Sequence, residues 1–291
     1  FPFSAPENSR LALFGNSLLV SDFEQADGAL MVASSGHDGY GNVRFPGGCN
    51  AALTVGLMEQ DASLHPRSGH NESIAKPDIL VLDAEYASQL SDGVDSIIDG
   101  SSAAVAIVCG VAAMWVERFR ENGWLHTPWA LRSAMMAGCK PSKDPMHHWR
   151  QISLEWCESI AGLDVFSGSA RDSHDWILSF TSTSQEITLG IGMRISPGNS
   201  HWLPRDLGAS MHDRSGPNWE LLSTVNNHGT FDQLKVGKEY LLHLDERASD
   251  FALTVVGGSG IKIQARPVGQ NDEIYKRPAP HVIVGISASH D

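Results

Sequence analysis

Residues 99–114 read DGSSAAVAIVCGVAAM, and the reading of this stretch decides the fold. Asp99, Gly100, Ser101 and Ser102 form a short polar turn, and a run of small apolar residues opens directly behind it. The run gives way to water-facing residues at Glu117, Arg118, Arg120 and Glu121, and Gly123 stands where a helix would stop. The pattern predicts a helix over 102–122. Its first half is apolar on all sides, as expected of a helix that runs through the middle of a domain. The start of such a helix offers unpaired backbone N–H groups and a positive dipole end. That end favours developing negative charge and can activate a nucleophile. Two readings of Ser101 and Ser102 follow: a serine that caps the helix, or a serine hydroxyl placed for attack.

Outward from that stretch, strands and helices alternate. Leu11, Phe14, Leu18, Leu19 and Phe23 recur at helical spacing over 8–26, with Gly28 as the stop, and 29–33 reads as a short buried strand. The loop 34–39, SSGHDG, follows. Strands are expected at 51–58 and 79–82. Thr127-Pro128 is an N-cap and first-turn pair, so 129–137 is expected to be a second helix ended near Gly138, with 140–150 a surface loop.

Five segments in this order resemble the subtilisin-like serine proteases, the subtilases. They are MVASSGHDG (31–39), RFPGGCNAALTVG (44–56), KPDILVLDA (76–84), Gly100-Ser101-Ser102 with Gly110, and AGLDV (161–165). The resemblance implies a parallel sheet flanked by helices, a polypeptide substrate, and Ser102 as the nucleophile behind a Gly-Thr-like pair. It places His37 where the family carries the asparagine that donates to the oxyanion. Ser34, Ser35 and Gly36 would line the wall of the pocket for the residue before the scissile bond. A histidine can donate a hydrogen bond there, or can stand as a surface loop residue; both readings remain. A triad built from His37 and Asp38 is not expected, because neighbours on a turn diverge whereas base and orienter must converge.

The sequence also departs from the family. His37 replaces the amide donor, Leu82-Asp83-Ala84 stands for Ala-Pro-Gly, and 103–107 lack the usual Met-Ala-Ser-Pro-His. The family's catalytic aspartate and histidine precede the helix matched by 8–26, so no residue of this chain takes their roles. An upstream segment of the same protein is the expected source. The resemblance thus implies a serine endopeptidase, with a catalytically inactive relative acting as a binding module as the alternative. It favours a secreted or lumenal setting.

Beyond Ser167 the texture changes to short alternating runs at 176–181, 186–191, 219–225, 240–244, 251–256, 261–265 and 282–286, split by turn residues. Such a series reads as an all-β sandwich or jelly roll. The expected organisation is therefore α/β over 1–170, a partial subtilisin-like catalytic domain, and a β-sandwich accessory domain over 171–291. A net charge of −13 argues against nucleic acid or an anionic membrane as partner. No apolar run is read as membrane-spanning. The four cysteines form no Cys-x-x-Cys pair and the histidines no His-Glu-x-x-His, so neither metal nor cofactor is expected. Cys109, inside the apolar run, is expected to be buried.

Overall fold

A computed structural model describes residues 28–41, 43–49, 51–72, 75–83, 86–89, 95–141, 148–152, 162–171, 173–184, 186–195, 208–215, 218–225, 228–246 and 248–269. The expected helix at 8–26, the strand at 282–286 and Cys157 lie outside these residues.

The first part contains β1 (Val32–Ser34), β2 (Leu53–Met58), β3 (Ile79–Leu82), the hairpin β4 (Tyr86–Gln89) and β5 (Asp95–Ile98), α1 (Gly100–Glu121), α2 (Pro128–Ala137), β6 (Lys140–Pro141) and β7 (Arg150–Gln151). One sheet runs in the order β1-β2-β3-β7-β6, parallel except for the β6–β7 pair. Its strands are short apolar runs, as parallel strands covered on their faces must be. Leu53, Val55 and Leu57 of β2 and Ile79 and Val81 of β3 share a core with Val108, Val111, Trp115 and Phe119 of α1 and with α2. Both helices match their sequence signals. Thr127 accepts from the Ala130 N–H, and Gly123 takes φ +69° just after α1.

Three expectations are corrected in this part. The ends of the loop expected at 140–150 are strands, because Arg150 is buried and its guanidinium donates to the Cys139 carbonyl and to Asp232. Cys109 is exposed, since the helical period puts it on the same face as Ser102 and Ala106, away from the core. By length and composition α1 is apolar enough to cross a membrane; here its other face is buried in the core.

The second part contains β8 (Gly162–Ser169), β9 (Asp175–Thr181), β10 (Glu186–Ile195), β11 (Ala209–Ser215), β12 (Asn218–Val225), β13 (His228–Lys235), β14 (Glu239–Leu244), β15 (Ala248–Gly257) and β16 (Lys262–Pro267). They make two antiparallel sheets, β13-β10-β15-β8 and β12-β11-β14-β9-β16. Leu189, Ile191, Phe251 and Leu253 of the first share a core with Trp176, Leu178, Leu242 and Leu244 of the second. β8 lies before the division expected at 170/171, yet it pairs along its whole length with β15.

The four-stranded sheet also meets the first part directly. A Cβ on Gly190 would stand 2.1 Å from the Ser133 carbonyl oxygen, and one on Gly192 2.0 Å from that of Trp129. Glycine at both positions is therefore what lets α2 lie against the β10 backbone. The fully buried Arg132 of α2 donates to the carbonyls of Ala51 and Met193, bonding the two parts together.

A buried charged group sits at this junction. Lys76 Nζ lies 2.6 Å from Asp78 Oδ2 and donates to the Ala52 carbonyl, while the same carboxylate accepts from the Thr54 N–H. His228 of β13 brings Nε2 to 3.0 Å from Asp78 Oδ1. Burial pushes the His228 imidazole down to about 4; the Asp78 carboxylate opposes this, while the Lys76 and Arg132 cations add to it. Burial opposes ionisation of Asp78, but Lys76 and His228 hold its carboxyl well below the usual range. An unfolded chain would protonate this histidine near 6.5. The unfolded state therefore binds the extra proton first, and stability falls as pH drops from about 6.5 to about 4. Below that window, protonation of Asp78 continues the loss. Chemical denaturation at pH 7 and pH 4.5 is expected to show a drop on the order of 1–3 kcal/mol, smaller in His228→Gln.

Candidate active site

The site begins where β1 ends. Ser34 pairs in register with Val55, and the next N–H, that of Ser35, donates to the Val55 carbonyl. The chain then turns at Gly36, whose φ of +91° lies in the left-handed region that glycine occupies without strain. Its N–H donates to Ser34 Oγ at 3.0 Å. The loop beyond is fixed by backbone bonds from the Gly69 N–H to the Gly36 carbonyl and from the Gly39 N–H to the Arg67 carbonyl. Asp38 turns aside to pair with Arg44 Nε, so His37 and Asp38 point to different partners, as expected of neighbours on a turn.

The second half of the site is the start of α1. Asp99 is the N-cap in extended conformation, and its side chain makes no capping hydrogen bond. Gly100, Ser101 and Ser102 form the first turn, which contains no acidic side chain. Gly100 has φ +72°, and a Cβ there would stand 2.6 Å from His37 Cε1. The imidazole therefore lies directly on the glycine that opens the helix.

Ser101 joins the two halves. Its Oγ is 3.1 Å from His37 Nε2 and 2.6 Å from Ser34 Oγ, and the residue is 0% exposed. Ser102, one position on, points outward and is exposed, as is His37. Among the described residues, Ser102 makes no side-chain hydrogen bond to His37. Of the residues singled out in the sequence, Ser34, Gly36, His37 and Ser102 thus gather at one place.

Ser35 does not join them. It is fully buried and turns its hydroxyl towards Ser68. Alternation along an extended backbone explains this, since Ser34 and Ser35 face opposite sides. The contact residue that the sequence left undecided is Ser101, read there as a cap or as the second member of the Gly-Thr-like pair before Ser102. Among the described residues, no group of three or more His, Cys, Asp or Glu side chains is placed to hold a metal ion.

Chemically, the arrangement offers an exposed hydroxyl at the positive end of a long helix, with an exposed imidazole on the adjoining loop. Helix-end N–H groups stabilise an oxyanion, and a ring N–H can add a donor. Replacing Gly100 by alanine forces a Cβ into the space of the imidazole and a side chain into left-handed backbone. Gly100→Ala is expected to destabilise the fold by about 1–2 kcal/mol from the backbone alone, measured by denaturant titration. It should also displace the His37 ring resonances in NMR spectra.

Residues 7–149 match the subtilase family model, Peptidase_S8. No curated protein matches the chain. Among solved structures, the prenylagaramide maturation protease PagA aligns at 20% identity and a TM-score of 0.41, over 56% of this chain and 72% of that one. The patellamide maturation protease PatA aligns at 21% identity and a TM-score of 0.40, over 48% of this chain and 54% of that one. The self-cleaved protease domain of PatA aligns at 26% identity and a TM-score of 0.35, over 38% of this chain and 42% of that one. The chain therefore spans about half or less of the length of the PatA structures.

Proposed function

Because residues 7–149 of this chain match the subtilase family model, we propose that it carries the nucleophile half of a serine endopeptidase site. In this reading Ser102 attacks the peptide carbonyl. The Ser102 N–H and the His37 ring hold the oxyanion, and Ser34 and Gly36 border the pocket for the residue before the scissile bond. The observation that carries the proposal is the exposed Ser102 hydroxyl in the first turn of α1, beside a helix-opening glycine on which His37 lies.

A serine alone is a weak nucleophile and needs a base and an orienter. We assign those to a polypeptide segment outside residues 1–291, carried upstream in the same protein. Two surfaces suit such a segment. Ser102, Ala106, Cys109 and Ala113 lie along one exposed face of α1, and among the described residues β1 is hydrogen-bonded on one side only, to β2. A parallel strand is ordinarily flanked and covered. In the same reading residues 1–170 form the partial catalytic domain, and 171–291 form a β-sandwich that supports it through the junction at α2. A second reading, a non-catalytic relative that binds polypeptide, is favoured by one feature of the sequence: the resemblance aligns His37 with the family's amide donor.

The chain of 291 residues by itself is expected to give no measurable peptide-bond hydrolysis. The natural polypeptide that carries this sequence is expected to hydrolyse peptides and to react with a fluorophosphonate at Ser102. Ser102→Ala should lower its turnover by about 10³-fold or more. Turnover unchanged by Ser102→Ala would overturn the assignment. Absence of hydrolysis and of labelling in the natural polypeptide would decide for the non-catalytic reading.

A further inference from the structure

We infer that His65 is a positioning residue of the candidate site: its ring holds the segment 66–70, on which the loop carrying His37 rests. The inference deepens the proposal that His37 serves the oxyanion, and rests on that proposal only for its effect on turnover.

The argument starts from the ends of the parallel strands. β1, β2 and β3 run in one direction, so the segments that follow them leave from one side of the sheet, where open α/β sheets place their ligands. The His37 loop follows β1, Glu59 follows β2 and Asp83 follows β3. His65 stands between the last two. Its Nε2 lies 3.3 Å from Glu59 Oε1 and 3.3 Å from Asp83 Oδ2, and its side chain is 14% exposed. The His65 N–H donates to the Leu57 carbonyl at 3.0 Å, which fixes the backbone beneath the ring.

The other ring nitrogen turns to the chain ahead. Nδ1 accepts the Arg67 N–H at 3.1 Å, across the turn at Pro66 and Arg67. An asparagine side chain closes the same span when it bonds the N–H two residues on. Arg67 Nη2 also reaches Asp83 Oδ2 at 3.7 Å, but that side chain is 63% exposed and such a pair contributes little in water.

This turn is what meets the His37 loop. A Cβ on Gly39, whose φ is +73°, would stand 3.0 Å from the Pro66 carbonyl oxygen. The Gly39 N–H donates to the Arg67 carbonyl at 3.3 Å, and the Gly69 N–H to the Gly36 carbonyl at 3.1 Å. The two bonds bracket His37, one on each side. Ser68 anchors the middle of the segment, with its Oγ accepting the Leu57 N–H at 3.0 Å. One imidazole thus links the ends of β2 and β3 to the support of the loop after β1. It acts through Arg67 and Gly39, not on the reacting atoms.

Two variants separate the duties of the ring. His65→Phe keeps a ring and loses both nitrogens, whereas His65→Asn keeps an acceptor for the Arg67 N–H. In NMR spectra of the full chain, His65→Phe is expected to shift the His37 ring resonances. It should also speed exchange of the Gly39 and Gly69 amides by on the order of fivefold, the worth of one net hydrogen bond. His65→Asn should return both readouts to near their wild-type values. If His65 only tied β2 to β3, His65→Phe would lower stability and leave His37, Gly39 and Gly69 with wild-type signals. That result overturns the inference, and so does a failure of His65→Asn to restore them. In the wild-type chain, a nitrogen–nitrogen coupling across the hydrogen bond from Arg67 N to His65 Nδ1 is expected. Its absence overturns the inference even if every variant fails to fold. In the natural polypeptide, His65→Phe should lower turnover by roughly tenfold with KM little changed, as for an oxyanion donor displaced but not removed. Unchanged turnover in an active polypeptide overturns the inference. If that polypeptide proves inert, the protease proposal fails while the NMR outcome still decides for or against His65.

Discussion

The hydrogen bond between Ser101 and His37 is the contact on which the site depends, because it ties the end of the first strand to the start of the long helix. Everything that meets there comes from short-range demands of the chain. The positive φ of Gly36 turns the backbone after β1, that of Gly100 opens α1, and neither glycine leaves room for a larger residue without moving a neighbour. The apolar faces of β2, β3, α1 and α2 hold those two turns at a fixed separation. A helix whose first turn carries no acid and no capping side chain keeps its N–H groups available for an anion. Chemistry and packing thus make the same demand for small residues over 100–102.

The antiparallel part is built into this arrangement through the second helix. α2 has β10 packed against its backbone, with Arg132 bonded to both parts and Arg150 reaching from β7 to Asp232 on β13. His228 from β13 completes the charged group around Asp78, at the entry to β3. Burying such groups is costly; Asp78 Oδ2 accepts from Lys76 Nζ and the Thr54 N–H, and Oδ1 lies 3.0 Å from His228 Nε2. The consequence is that a change in the β-rich part reaches the parallel sheet through a few specific residues, and acid acts at that junction.

Much of the first part is legible in the sequence because its signals are local. The helix following Ser101-Ser102, the Thr127-Pro128 start of α2, and the strand at Ile79–Leu82 lie where spacing and capping residues put them. β8, β11 and β13 escape such a reading. Their sequences, GLDVFSGS, ASMHDRS and HGTFDQLK, mix glycine, histidine and acids with few branched residues, and they become strands through pairing with distant partners. Arg150 looks like a loop residue until its carbonyl and carboxylate partners are in place. In the site, the resemblance to subtilases picked out Ser102 and His37. It did not reveal that the serine hydrogen-bonded to His37 would be Ser101, since that depends on which way the loop after β1 folds. Nor did it show that the Ser35 hydroxyl would turn inward to Ser68, since neighbours on an extended segment face opposite sides.

The most direct measurement is a crystal structure of the natural polypeptide bound to a peptidyl boronic acid. The account predicts a bond between boron and Ser102 Oγ, with one boronate oxygen facing the His37 ring and Ser101 still hydrogen-bonded to its Nε2. A boronate attached elsewhere, or bound at Ser102 with the His37 ring turned away from the oxygen, would contradict it.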